Sequence, residues 1–99
     1  MRSNFELDVE TAMYCLHTLA RGQTGTYVSP GQLEAQSKPY GLARSFTDAT
    51  FRIAIVEELL KREWVIWSEG GKHTVALTEK GKEAAERIAA ENPPQEYHR

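Results

Sequence analysis

The side chains in this sequence that are capable of catalysis are few, and their spacing works against them. Cys15 and His17 are a thiol and an imidazole, the pair that a cysteine nucleophile and its general base require. They stand two residues apart in a segment with helical periodicity, and side chains at that spacing point to different sides of a helix. We therefore expect Cys15 to be a small, partly buried apolar residue and not a nucleophile.

No other group of residues indicates an enzyme. Glu57 and Glu58 are adjacent in a helical segment, which is typical of a solvated helix surface, and no glycine-rich phosphate loop follows a predicted strand. Cys15 is the only cysteine, so the sequence offers neither an internal disulfide nor a cysteine-pair zinc site. The sequence predicts a protein that is not an enzyme and that uses no metal and no cofactor.

The charged residues bear on nucleic-acid binding, because lysine and arginine supply most of the non-specific affinity for phosphate. The formal net charge is −2, and the 12 basic residues are scattered along the chain without forming a block. A basic face is therefore expected only where folding gathers Arg44, Arg52 and Lys72.

A long helix over Phe46–Arg62 is the element expected to position these side chains. Its apolar residues recur at spacings of three and four, which places them on one side of a helix facing the core. Ser45 is expected to cap the helix start, with Asp48 three residues later in a carboxylate variant of the capping box. The predicted core residues are Phe46, Ala49, Ile53, Val56 and Leu60.

The opposite side of this helix is expected to meet a binding partner. In a DNA-binding domain it would enter the major groove, and Glu58 would then repel the phosphate backbone. The alternative is that Phe51 and Ile55 are buried as well, because the central helix of a small domain often packs on two sides. The residues on this side are Thr47, Phe51, Ala54, Ile55, Glu58 and Arg62.

A β-hairpin is expected immediately after the long helix. Trp64–Trp67 is β-branched and aromatic, Glu69–Lys72 contains Gly70 and Gly71 for the reversal, and His73–Leu77 is a second extended run. Neighbouring residues of a strand point to opposite sides, so at least one of the two tryptophans is expected to face the core.

The first helix is predicted over residues 9–20, where apolar residues again recur at helical spacing. Asp8 is expected to cap its start and Gly22 to stop it. Tyr27-Val28 is predicted to be a short strand that pairs with the hairpin.

A second helix is indicated by Ser29, Pro30 and Gln32, which are a serine cap, a proline at the first helical position and a glutamine at the third. Leu33 is its expected core anchor. The helix should be brief, because Pro39 drives the residue before it away from helical dihedral angles.

Thr78 is expected to cap a closing helix over about Glu79–Glu91, which Asn92 and the prolines after it end. One side of this helix carries small residues that permit close helix approach, so that side either covers the first helix or packs against a second copy. We expect the second copy, with the far side of the first helix as the other pairing surface. The predicted dimer interface comprises Tyr14, Ala84, Ala85 and Ile88.

Helix, hairpin and helix in this order form the second half of a winged-helix domain. The runs Leu59–Val65 and Leu77–Ala84 resemble small bacterial and archaeal winged-helix transcription regulators of the MarR and PadR type, most specifically in Leu77-Thr78-Glu79-Lys80-Gly81. The resemblance implies an α+β winged helix with three helices, a small antiparallel β-hairpin wing and a C-terminal helix. These regulators commonly have glycine where Glu63 stands.

The resemblance and the order of elements predict a sequence-specific DNA-binding transcriptional regulator that acts as a homodimer on double-stranded DNA. The alternative is a winged-helix module for protein–protein contact without DNA binding. Net acidity, the absence of wing arginines and the apolar side of the long helix favour that alternative. The residues expected at DNA are Arg44, Ser45, Thr47, Thr50, Phe51, Arg52, Lys72 and His73.

The length of 99 residues predicts one domain, which we place at residues 1–92, followed by a flexible tail at 93–99. The amino-terminal residues contain no apolar run typical of a signal peptide, and no stretch approaches the length of a membrane span. We therefore expect a cytoplasmic protein.

Overall fold

Four α-helices, one short 3-10 helix and a two-stranded antiparallel hairpin make up the described part of the chain. This computed structural model describes residues 4–40, 49–68, 70 and 73–94, without the side chains of Asn4, Lys38 and residues 49–52. None of its helices combines the length and apolarity needed to cross a membrane. The elements are α1 (Asn4–Ala20), α2 (Pro30–Ser37), the 3-10 helix (Lys38–Tyr40), α3 (Ala49–Lys61), β1 (Val65–Trp67), β2 (Val75–Leu77) and α4 (Glu79–Glu91).

This architecture is α+β and compatible with a winged-helix layout, to which the 3-10 helix is an addition that the sequence pattern did not predict. Helix α1 is central, because it packs against α2, α3, α4 and β2. The core is built from apolar side chains of all these elements. Its largest fully buried members are Met13, Leu16, Leu33, Ile55, Leu59 and Leu77.

Helix α1 begins more than one turn earlier than predicted. Residues 4–8 are helical, so Asp8 lies inside α1 and the prediction that Asp8 caps the helix is wrong. Tertiary contacts explain the extension: Phe5 packs against the core, and Glu6 forms an ion pair with Arg62 at 2.9 Å. Burial raises the pKa of the Asp8 carboxyl above its ordinary value.

Helix α1 ends beside Gly22, as predicted. Arg21 takes the left-handed conformation with φ 53°, and its N–H donates to the carbonyl of Thr18 at 3.2 Å. The N–H of Gly22 donates to the carbonyl of His17 at 2.9 Å. These two bonds are the Schellman pattern that closes a helix end.

Helix α2 begins with the predicted capping box. The N–H of Ser29 donates to Gln32 Oε1 at 2.9 Å, and the N–H of Gln32 donates to Ser29 Oγ at 3.2 Å. Leu33 is buried at 1% exposure, which confirms it as the core anchor. The α-helix ends at Ser37, which confirms that α2 is brief. The chain continues as the 3-10 helix Lys38–Tyr40, so the prediction that Pro39 drives Lys38 away from helical dihedral angles is wrong.

The hairpin forms as predicted, with Val65 opposite Leu77, Ile66 opposite Ala76 and Trp67 opposite Val75. The predicted strand at Tyr27-Val28 is reduced to a single antiparallel bridge, in which the N–H groups of Val28 and Val75 donate to each other's carbonyls at 2.8 and 2.9 Å. Gly70 has φ 84°, the left-handed conformation of a turn residue.

The two tryptophans of the hairpin, Trp64 and Trp67, are both half-buried and pack against the core. The expectation that at least one faces the core is therefore met by partial burial of both.

The buried side of α3 differs from the predicted one. Ile53 was predicted to be in the core but is 56% exposed, whereas Ile55, placed on the opposite side, is completely buried. Val56 is buried as predicted, and Leu59 joins it in the core. The alternative that Ile55 is buried is thus confirmed, and the assignment of Ile53 to the core is wrong. The predicted cap at Ser45 and the core position of Phe46 lie outside the described residues.

Candidate nucleic-acid interface

The residues predicted to contact DNA fall largely outside the side chains that the structure describes. Arg44, Ser45, Thr47 and Lys72 are not among the described residues. The described part of α3 includes Thr50, Phe51 and Arg52 as backbone only, so the structure does not test their roles. His73 is exposed, two residues before β2.

The exposed side of α3 is described from Ile53 onwards. It carries Ile53, Glu57 and Lys61, which follow one another at intervals of four residues and are all exposed. One apolar, one acidic and one basic side chain thus succeed each other along this side. A single cation there makes this half of the helix a poor phosphate-binding surface, so phosphate contacts would come from residues nearer the helix start.

The far end of α3 is closed by a second Schellman motif, centred on Glu63. The N–H of Glu63 donates to the carbonyl of Leu60, and the N–H of Trp64 donates to the carbonyl of Leu59, both at 3.0 Å. Glu63 has φ 62°, a conformation that costs an L-residue energy and that glycine adopts freely. The backbone at Glu63 therefore has the shape that glycine favours.

Replacing Glu63 with glycine is expected to stabilise the protein by roughly 0.5–1 kcal/mol, because the left-handed strain disappears while both backbone hydrogen bonds remain. The matched control is Glu57→Gly, at an exposed position inside α3. Glycine at position 57 should destabilise the protein by about 1 kcal/mol, since it lowers helix propensity and no left-handed strain is relieved there. Urea unfolding of both variants measures the difference, and equal signs would contradict this account of Glu63.

Thr78 joins the end of α3, the start of the hairpin and the start of α4. Its hydroxyl donates to the carbonyl of Glu63 at 2.5 Å and accepts from the N–H of Gly81 at 3.0 Å. Its own N–H donates to the carbonyl of Trp64 at 3.0 Å. The predicted cap is thus confirmed, and α4 spans the predicted Glu79–Glu91, ending where the N–H of Asn92 donates to the carbonyl of Ile88.

Gly81 is the tightest point of this junction. A Cβ atom built there would lie 1.9 Å from the carbonyl oxygen of Trp64 and 2.7 Å from its carbonyl carbon. Both are backbone atoms that a side-chain rotation cannot move. Thr78 and Gly81 therefore have structural roles, which are to hold the start of α4 against Glu63 and Trp64, between α3 and β1.

A cluster around Arg62 was not predicted from the sequence. The guanidinium forms ion pairs with Glu58 at 2.7 Å and with Glu6 at 2.9 Å, and its Cζ lies 4.9 Å from the centre of the Trp64 ring. The hydrogen bond from Arg62 holds the pKa of Glu58 below its ordinary value. Burial acts to lower the pKa of Arg62, but the hydrogen bonds to Glu6 and Glu58 outweigh it and the pKa lies above its ordinary value.

This cluster changes the expected part of two residues in DNA binding. Glu58 is an internal ion-pair partner of Arg62, which weakens the expected repulsion of the phosphate backbone without removing it, because the same guanidinium also pairs with Glu6. Arg62 already has two carboxylate partners and an aromatic one. The spacing of four between Glu58 and Arg62 is a signal that could have been read from the sequence, whereas the link to Glu6 requires the tertiary fold.

The thiol and the imidazole of α1 are separate, as expected. Cys15 is completely buried, its Sγ lies 3.8 Å from the carbonyl oxygen of Gln36, and burial raises its pKa to about 12. His17 lies 3.4 Å from Glu86 on α4. A thiol with this pKa remains protonated at neutral pH and is a poor nucleophile.

The predicted dimer interface on α4 is used inside one chain. Ala84 and Ala85 are 1% exposed and Ile88 is 8% exposed, because this side of α4 packs against α1. A second copy therefore has no access to them, and their assignment to a dimer interface is wrong. Tyr14 is half-buried, with its ring edge-on to that of Tyr40 at 5.9 Å between ring centres.

An open groove of about 550 Å³ lies between β1 and the start of α4. Val65, Ile66 and Trp67 of β1 form its apolar wall, and Ile66 is 48% exposed. Glu79 and Lys80, at the start of α4, also line it. Sequence reasoning missed this groove because it depends on the packing of α4 beside the hairpin.

No family model, no curated protein and no solved structure matches this chain.

Proposed function

We propose that this protein is a sequence-specific DNA-binding transcriptional regulator of winged-helix type that acts as a pair of identical chains. The single observation that carries the proposal is the connection of α3, the hairpin and α4 through Thr78 and Gly81. This connection holds a helix and a hairpin that follow each other directly in the chain. A winged helix uses these two elements to read the major groove and to contact the backbone beside it.

The charge distribution of the described residues limits where phosphate can bind. Arg62 has carboxylate partners within the domain, and the exposed side of α3 beyond Arg52 offers only Lys61 among the described side chains. The proposal therefore assigns the phosphate contacts to Arg44, Arg52 and Lys72. Two copies double these contacts, which matters because the basic residues of one chain are scattered and offer few phosphate contacts.

The test is binding to a duplex of random sequence, followed by fluorescence anisotropy from about 50 to about 200 mM salt. Arg52→Ala and Lys72→Ala should each lower the slope of log affinity against log salt by about one per chain, because each removes one phosphate contact. The matched control is Arg87→Ala, an exposed cation on α4 that should leave the slope unchanged.

Absence of salt-dependent binding at the lowest salt concentration would contradict the proposal. So would an equal loss of slope in Arg87→Ala, since it would mean that binding follows total charge and not a defined face.

A second candidate function is a protein-interaction module without DNA binding. The observation that favours it is the exposure of two large apolar side chains near the hairpin and on α3, Ile66 at 48% and Ile53 at 56%. The salt series separates the two candidates, because apolar association does not weaken with salt as phosphate binding does.

A further inference from the structure

The open groove beside β1 offers accessible apolar surface in a space of ligand size. Val65, Ile66 and Trp67 form its wall from β1, and Leu60 near the end of α3 adds to its lining. Ile66 is 48% exposed, and Leu60 and Trp67 are half-buried. The volume of about 550 Å³ lies within the range of small-molecule sites in proteins.

Three charged side chains line the same groove, namely Glu63, Glu79 and Lys80. All three are exposed, and none forms an ion pair with another residue in the part of the chain that the structure describes. Two carboxylates and one ammonium group give this lining a net charge of −1. The head group that complements the groove is therefore a cation.

Glu63 occupies its place at the groove in an unfavourable backbone conformation. Its φ of 62° costs an L-residue energy, and glycine would adopt it freely. The hydrogen bonds around it are made by backbone groups and by the hydroxyl of Thr78, so none of them needs a carboxylate at this position. Residues in such conformations cluster at ligand sites. Closure of α3 thus gives no reason for a glutamate here, whereas binding of a cationic ligand would.

The apolar wall and the carboxylates together restrict the class of ligand. A neutral apolar ligand would remove water from Glu63 without replacing it, which is unfavourable. An anion would meet two carboxylates and one ammonium group. For a metal ion, the described residues contain no group of three or more His, Cys, Asp or Glu side chains placed to hold one. An amine with an apolar body fits both features, because its ammonium group can donate to Glu63 while its body lies against β1.

The adjacent Arg62 cluster uses the same chemistry within the protein. There a cation pairs with the Glu58 carboxylate at 2.7 Å and lies 4.9 Å from the centre of the Trp64 ring. We propose that the groove binds a small organic amine with an apolar body, and that Glu63 is the carboxylate that receives its ammonium group. This site goes beyond DNA binding and does not depend on it.

The test is a titration of the full chain, without DNA, with three probes that share a phenyl ring on a short chain and differ in charge. They are 2-phenylethylamine, 2-phenylethanol and 3-phenylpropionate, followed by the amide signals of Ile66, Trp67 and Lys80 in NMR spectra. The amine should bind with a Kd of about 1 mM or below. It should bind at least about ten-fold more tightly than the alcohol, because only the amine forms a charge-assisted hydrogen bond. The propionate should bind most weakly.

Substitutions at the groove should change the affinity for the amine alone. Glu63→Gln should weaken amine binding by about ten-fold and leave binding of the alcohol unchanged. The matched control is Glu57→Gln, an exposed carboxylate of α3 that does not line the groove, and it should leave both affinities unchanged. Lys80→Gln should strengthen amine binding, because it removes a like charge from the lining.

Glu63→Gly separates binding from folding. This variant should be more stable than the parent, since the left-handed strain is relieved, and should bind the amine as weakly as Glu63→Gln does. A loss of affinity in a more stable protein cannot come from a folding defect.

Equal affinity of the parent for the amine and the alcohol would overturn the inference, as would a Glu63→Gln protein that binds the amine like Glu57→Gln. So would the absence of amine binding at about 10 mM, which would leave the groove to a segment of another protein. Because no DNA is present, each of these failures leaves DNA binding to be judged by the salt series alone.

Discussion

Replacing Gly81 with alanine is expected to lower the free energy of unfolding by about 3 kcal/mol or more. The added Cβ would lie 1.9 Å from the carbonyl oxygen of Trp64. That oxygen also accepts the hydrogen bond from the N–H of Thr78, so moving it away strains the contact between the hairpin and α4. The first turn of α4 must shift as a unit, which disturbs the hydroxyl contacts of Thr78 as well.

The sign of this prediction is opposite to helix propensity. In an unconstrained helix, glycine to alanine stabilises by about 1 kcal/mol, because alanine loses less backbone entropy on folding. Gly25→Ala is the matched control, since no atom lies within 4 Å of its added Cβ and its backbone is not left-handed. It should be neutral or slightly stabilising. Thermal or urea unfolding decides the matter, and a Gly81→Ala protein as stable as the parent would show that α4 does not approach Trp64 so closely.

Replacing Ile55 with alanine is expected to have the second large effect, lowering the free energy of unfolding by about 2–5 kcal/mol. Ile55 is completely buried in the core together with Leu59, so truncation leaves a cavity that the neighbouring helices can only partly close. The matched control is Ile53→Ala, two residues away on the same helix and 56% exposed. It should change the free energy of unfolding by no more than about 0.5 kcal/mol.

This pair of variants tests which side of α3 faces the core. Helical periodicity alone assigned Ile53 to the core and Ile55 to the partner side, and would predict the reverse result. Should Ile53→Ala be the more damaging change, α3 is rotated relative to the structure described here. The side of α3 that includes Ile55 would then be exposed and available to a binding partner, as the periodicity predicts.

The orientation of α3 also affects the functional proposal. With Ile55 in the core and Glu58 paired to Arg62, two residues once assigned to the partner side belong to the interior or to an internal ion pair. The side left exposed includes Ile53, Glu57 and Lys61. Base or phosphate contacts by α3 would therefore depend on its first turns and on the segment before it.

The sequence by itself determined the local structure, namely two helix caps, the bounds of α4 and the hairpin. The reciprocal capping box of Ser29 and Gln32, the cap at Thr78 and the bounds of α4 follow from hydrogen bonds between residues three or four positions apart. The hairpin follows from two short extended runs, the first β-branched and aromatic, with glycine at the turn between them. Such interactions are complete within a few residues, so their outcome can be predicted without knowing what else is nearby.

Only the tertiary structure decided which surfaces are buried. Apolar residues occupy most of the circumference of α3, so two sides were nearly equal candidates for the core, and contact with the rest of the domain selected Ile55 over Ile53. The small residues of α4 can pack against either α1 or a second copy, and in the structure they pack against α1. The early start of α1 likewise depends on Arg62, which lies 56 positions after Glu6 but 2.9 Å from it. Which side of a helix is buried depends on contacts with segments distant in the chain. A periodic pattern therefore shows which sides can be buried but not which one is.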